Sequence, residues 1–335
     1  MKTLLVKSVA LLAPFVALSV PTAVHTVSVV IRTEHSLAFC EGVFNQDLEG
    51  KLAAFVHDDT EVIVGGDSRG ERQMVPAVVT ARTGWKAANV ATTAGDLITL
   101  RNALQRHGVP RAMRALVVST SLFQVNDGAI DPGYVSTACF LNMTTWERLK
   151  VYADRLGSPW SPLDFQLDEG PPAVIKAPRL GEQGFLGVNG TLALPLPKSL
   201  LGDHPWYRTL SLHGARWRIF RQALEQLAAY GFPIWLVQPP ISPAWRDYTA
   251  GTFVDTAERE FSEMLRVEGA RYANVRVVDF YSTPDPRFGN ARFYDIQHLN
   301  RQGAELFTQI LAERVLADLR TGSMDSRQRP ERGRR

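Results

Sequence analysis

From Glu61 onward the chain alternates short β-rich runs with helical patterns, and this alternation restricts the fold more than any other feature. The runs are Glu61 to Val64, Ala87 to Ala91, Ala115 to Ser119, Pro233 to Val237 and Val275 to Val278. Helical patterns fall at Leu97 to His107, Ala215 to Tyr230, Val254 to Gly269 and Arg301 to Leu319. In the last of these, Ala304, Phe307, Leu311 and Val315 recur at steps of three and four, so one apolar face meets a sheet. Strand–helix–strand repetition of this kind builds parallel sheets. The predicted class is therefore α/β: a three-layer α/β/α sandwich around a five-stranded parallel sheet.

Two segments break the pattern. Between Gln124 and Leu212 the periodicity fails, and eight of the 20 prolines lie from Pro159 to Pro205. A loop this long inside a compact domain is usually a lid or a binding surface. At the front, the 24 residues between Lys7 and Arg32 carry no formal charge, enough at about 1.5 Å per residue to cover a hydrocarbon core of roughly 30 Å. Lys2 and Lys7 precede the run, so the positive-inside rule sends everything after Arg32 across the membrane. An uncleaved anchor is favoured. A signal peptide cut near Pro21-Thr22-Ala23 is the alternative, and either exports the rest. The expected organisation is a membrane segment at 1–34, a catalytic domain at 35–320 with its insertion at about 124–212, and a disordered basic tail at 321–335.

Charge and cysteine content exclude several classes. The net charge is +3, but the stretch from Arg327 to the end holds five arginines and one glutamate, net +4, which leaves −1 for all that precedes it. That body is not a nucleic-acid binder. Cys40 and Cys139 are the two cysteines, enough for one bridge and too few for a disulfide framework or a cysteine zinc site. His25, His35, His57, His107, His204 and His213 show no metal-ligand spacing. No metal or other cofactor is expected.

Two short motifs carry chemistry. The first run leads into Gly65-Gly66-Asp67-Ser68-Arg69-Gly70, which presents a serine at the carboxyl end of a parallel strand, where open α/β folds place their sites. By itself such a turn caps a helix. A dinucleotide-binding loop is excluded because the second glycine of its fingerprint falls on Asp67, whose charge repels a pyrophosphate. Far downstream lies Phe293-Tyr294-Asp295-Ile296-Gln297-His298-Leu299-Asn300-Arg301-Gln302-Gly303. The three-residue spacing lets the Asp295 carboxylate orient the His298 imidazole. A serine hydroxyl needs a neutral imidazole to take its proton, and that imidazole needs an acceptor on its other nitrogen.

Together, a GDS turn on the first strand and a DxxH before the last helix resemble the first and fifth sequence blocks of the SGNH (GDSL-like) serine hydrolase superfamily. The resemblance spans Glu61 to Leu319. It implies a triad of Ser68, His298 and Asp295. It also implies an oxyanion hole from the Ser68 N–H, the Gly95 N–H in the loop after the second strand, and the side chain of Asn126 after the third. Arg69 stands where the GDSL spelling has leucine and is expected to meet substrate. The His-Leu-Asn-x-x-Gly continuation and the exported domain are similar to the envelope O-acyltransfer branch, which includes alginate acetylation proteins and the D-alanyl transfer protein of teichoic acids. That branch implies an acyl donor, a carbohydrate acceptor and a membrane-bound O-acyltransferase as partner. Trp160, Trp206 and Trp245 lie in Pro-rich loops. An indole there stacks on sugar or packs in the core, and Trp160 and Trp206 are the expected sugar contacts. The competing expectations are a secreted carboxylesterase of small esters and a catalytically silent polysaccharide-binding scaffold.

Overall fold

The computed structural model describes residues 47–93, 95–127, 180–203, 207 and 210–320. The chain divides into two compact units. The described residues belong to the one formed by Gly42–Asp131 and Lys176–Arg335. The expected membrane segment at 1–34, Cys40, Cys139, Trp160, Trp206, His204 and the basic tail at 321–335 lie outside the described residues. Among the described residues, no helix is long and apolar enough to cross a membrane.

Five strands, β1 (Val62–Gly66), β2 (Ala87–Asn89), β3 (Ala115–Ser119), β4 (Ile234–Gln238) and β5 (Val275–Asp279), form one sheet in the order β2-β1-β3-β4-β5. Every pairing is parallel, with Val64 opposite Val117 and Leu236 opposite Val277. Helices are α1 (residues 47–55), α2 (Ser68–Gln73), α3 (Pro76–Thr83), α4 (Leu97–His107), α5 (Leu122–Val125), α6 (Leu200–Asp203), α7 (Ala215–Ala228), α8 (Pro243–Thr249), α9 (Phe253–Gly269) and α10 (Arg301–Arg320). Helices α2, α3 and α10 pack together on one face of the sheet, and α4, α7 and α9 on the other.

Burial on both faces explains why the strands read as apolar runs rather than alternating ones. Val62, Val64, Val117, Trp235 and Val237 join Phe280, Phe293, Phe307 and Leu311 in the core beneath α10. Ile63, Leu116, Val118 and Leu236 point to the opposite side and are all buried. Local chemistry sets the helix starts. The Asp96 carboxylate accepts the Thr99 N–H at 2.8 Å to cap α4, and Ser242 caps α8 ahead of Pro243.

The predicted α4 and β3 match residue for residue, and the other predicted elements differ by one or two residues at one or both ends. Strand β1 runs two residues beyond its expected stop at Val64, because Gly65 and Gly66 pair with Val118 and Ser119. Helices α1, α3, α5, α6 and α8 are not among the predicted elements. Trp245, expected in a loop, sits in α8 and is fully buried against Tyr207 and Tyr248, at ring separations of 5.2 and 5.6 Å. Residues 180–192 of the Pro-rich insertion form a strap. Its Gln183 carbonyl accepts the Asn89 N–H at the outer edge of β2, and its Leu192 N–H donates to the Phe293 carbonyl.

Candidate active site

The strand order reverses between β1 and its two neighbours, and a chain leaving β1 emerges at that switch point. Gly66 makes the turn with φ +111°, a left-handed conformation. A Cβ there would stand 2.2 Å from the Ser119 carbonyl oxygen. Asp67 follows in extended conformation and caps α2, its carboxylate accepting from the Arg69 N–H at 3.1 Å and from the Ser119 hydroxyl at 2.9 Å. Ser68 is the first residue of α2. Its N–H lies in the first helical turn, where the helix itself offers no carbonyl partner.

The partner motif is a tight loop just before α10. An isolated bridge between Phe293 and Leu299 closes it, and the Tyr294 N–H donates to the His298 carbonyl at 3.0 Å. Inside the loop the Asp295 Oδ1 accepts the N–H groups of Gln297 (2.8 Å) and His298 (2.7 Å). The carboxylate also meets His298 Nδ1 at 2.9 and 3.1 Å through its two oxygens. Across 230 residues of sequence, His298 Nε2 lies 2.9 Å from Ser68 Oγ. The structure thus brings Ser68, His298 and Asp295 into one hydrogen-bonded series.

Electrostatics decide the direction of that series. Burial opposes ionisation of Asp295. The bonds from the His298 ring and the two backbone N–H groups outweigh it and hold the carboxyl at about 2. An ionised carboxylate only accepts, so in the neutral imidazole Nδ1 carries the hydrogen and Nε2 presents a lone pair to the serine hydroxyl.

Around this series sit residues the sequence did not single out. The Tyr294 ring stacks on the His298 ring at 5.7 Å, and Arg72, one turn after Ser68 on α2, donates to the Tyr294 hydroxyl at 2.5 Å. Gln73 donates to the Gln297 carbonyl at 2.7 Å, and Gln297 in turn donates to the Tyr207 hydroxyl. The Asn300 and Gly303 of the motif have structural work. Asn300 accepts the Gly303 N–H at 3.0 Å and donates to the carbonyls of Gly190 and Ala291, clasping the strap to the loop. Gly303 lies so close to Arg292 that a Cβ would stand 2.3 Å from its carbonyl oxygen. The i+4 spacing of Arg72 from Ser68 is the signal that could have found it.

The other expected site residues are placed as follows. Gly95 sits against the turn before Ser68, where a Cβ would fall 2.3 Å from the Gly66 carbonyl oxygen. Its N–H donates to the Thr92 carbonyl at 2.9 Å. Asn126 closes α5 and is fully buried, its carboxamide oxygen accepting the Ser211 N–H at 2.8 Å. Arg69, expected to meet substrate, turns inward instead. It is 2% exposed, and its guanidinium approaches the Thr120 carbonyl at 3.4 Å. Among the described residues, no group of three His, Cys, Asp or Glu side chains gathers as a metal site.

No family model and no curated protein matches the chain. A solved structure from Streptococcus pneumonia, provisionally described as a platelet activating factor, aligns over 86% of this chain and 98% of that chain at 12% identity, with a TM-score of 0.41.

Proposed function

We propose that this chain is a serine esterase or O-acyltransferase of the SGNH type that works through an acyl-Ser68 intermediate. The observation that carries the reading is the bonded series Ser68 Oγ to His298 Nε2, His298 Nδ1 to Asp295. In the first half-reaction His298 takes the hydroxyl proton as Ser68 Oγ bonds to the ester carbonyl carbon. The imidazolium then gives that proton to the departing alcohol oxygen as the C–O bond breaks. In the second half, water or a carbohydrate hydroxyl bonds to the acyl carbon and loses its proton to His298, and the imidazolium returns that proton to Ser68 Oγ as the acyl–Oγ bond breaks.

Charge on the carbonyl oxygen would be met by the Ser68 N–H, the Gly95 N–H and the Asn126 side chain. For Gly95 this requires its amide to leave the Thr92 carbonyl, and for Asn126 it requires the fully buried carboxamide to be uncovered. The wider reading, resting on the sequence resemblance, is acetylation or deacetylation of an extracytoplasmic polysaccharide by an exported, membrane-anchored domain. Trp160 and Trp206 would meet sugar rings, and a membrane-bound O-acyltransferase would supply the acyl group.

A fluorophosphonate probe tests the chemistry, because only an activated hydroxyl attacks phosphorus at neutral pH. One labelled residue, Ser68, is expected, with labelling lost in Ser68→Ala at unchanged thermal stability. Labelling that persists in this variant, or never occurs in folded wild type, sinks the reading.

A further inference from the structure

Arg72 is a half-buried cation with no acidic partner among the described residues, and it bonds to the tyrosine whose ring stacks on His298. Its one hydrogen bond there, to the Tyr294 hydroxyl, uses one of five guanidinium N–H donors. Three surface arginines of α9 and α10 show a different habit. Arg259 and Arg266 each grip a carboxylate through two bonds, and Arg301 does the same with Glu182.

Position relates Arg72 to one half of a substrate. Residues four apart on a helix share a face, which sets Arg72 one turn from Ser68. Through Tyr294 it also lies against His298, whose ring is stacked on that tyrosine. In acyl transfer through Ser68, His298 exchanges its proton with the alcohol oxygen, so the alcohol half of the ester lies on the His298 side. Asp295, bonded to His298, is ionised there and would repel an anion.

We infer that Arg72 forms an oxyanion-binding subsite on the His298 side of Ser68, which selects substrates whose alcohol half carries a carboxylate or a phosphate group. The inference rests on the acyl-Ser68 reading. The guanidinium fork matches either group through paired N–H bonds and offsets the field of Asp295. The acyl half, on the far side of the carbonyl, is outside its reach.

The test compares 4-acetoxybenzoate and 4-acetoxyphenyl phosphate with the uncharged methyl 4-acetoxybenzoate, in wild type, Arg72→Gln and Arg72→Lys. The quantity read is the ratio of kcat/KM for each anionic ester to that for the neutral one, which cancels differences in leaving-group acidity and any general loss through Tyr294. The ratio is expected to fall about tenfold in Arg72→Gln for at least one anion, and less in Arg72→Lys; which anion responds identifies the group. An unchanged ratio for both anions overturns the inference. Binding of the same esters to Ser68→Ala and to Ser68→Ala/Arg72→Gln, measured by titration calorimetry, separates the two claims. Weaker anion binding in the double variant with no Ser68-dependent turnover in wild type keeps the subsite and removes the serine reading. Equal binding, or none to the protein that retains Arg72, removes the subsite.

Discussion

The Ser119 hydroxyl donates to the Asp67 carboxylate at 2.9 Å, so the last residue of β3 holds the residue that precedes Ser68. The same carboxylate oxygen caps α2 through the Arg69 N–H. Two neighbouring strands therefore fix where the helix begins, and with it where the serine points.

This bond should show as coupling. Asp67→Ala removes a helix cap and strands the buried Ser119 hydroxyl, at an expected cost of about 2 kcal/mol, and Ser119→Ala should cost about 1 kcal/mol. The double variant is expected to cost less than the sum, because the two share one interaction. Chemical denaturation of the four proteins measures it, and strict additivity would mean the contact is idle.

Lys51 and Glu71 form an ion pair at 2.8 Å with neither side chain exposed, and Lys51 also donates to the Ala91 carbonyl. The pair joins α1, α2 and the loop leading to Gly95, since Thr93 donates to the other Glu71 oxygen. Lys51→Met alone leaves a buried carboxylate without its counter-ion and is expected to cost about 3–5 kcal/mol. Lys51→Met/Glu71→Leu should recover most of that loss in the same unfolding assay.

Much of this frame was legible in the sequence because period and burial agree there. The apolar run Ala115 to Ser119 and the helical pattern Leu97 to His107 leave little freedom, and β3 and α4 fall on those residues. The serine turn and the DxxH loop were legible as motifs because their chemistry is local: Asp295 reaches His298 within one turn of chain. What the sequence could not yield is pairing at long range. Nothing in a linear reading sets Ser119 beside Asp67, or Tyr294 between Arg72 and His298. Arg69 misled for the same reason. Its neighbour Ser68 faces the site, but adjacent helical positions point about 100° apart, and Arg69 turns inward to the Thr120 carbonyl.

Activity should separate the members of the series. His298→Ala is expected to lose turnover as completely as Ser68→Ala, since the proposed base is gone. Asp295→Asn keeps the shape but lets the imidazole adopt the wrong tautomer, with an expected loss of about 10³-fold or more in kcat. Because the carboxyl is held at about 2, Asp295 stays charged across any ordinary assay. An acid-side fall in wild-type rate therefore belongs to another group. Hydrolysis of a chromogenic acetate followed from pH 4 to 9 checks this. A rate that tracks protonation of Asp295 would contradict the assignment.

Stability should carry a pH signature from Glu258. This residue is 1% exposed, and its carboxylate accepts from Gln238, whose own oxygen is held by Ser262. Burial pushes its carboxyl up from an ordinary 4.5 to about 7, against the opposing pull of Arg69 and of the Gln238 bond. Below 4.5 both folded and unfolded forms hold the proton, and the native environment is satisfied. Between 4.5 and 7 the folded form retains it while the unfolded chain releases it, so folding loses about 1.4 kcal/mol for each pH unit gained. The loss levels off above 7, where both forms are ionised, and by then amounts to about 3 kcal/mol. Glu258→Gln supplies a neutral side chain of the same shape and should remove this slope. Urea unfolding at pH 5 and pH 8 is the measurement. Wild type should lose stability relative to the variant as pH rises, and parallel behaviour of the two proteins would show that Glu258 ionises without penalty in the fold.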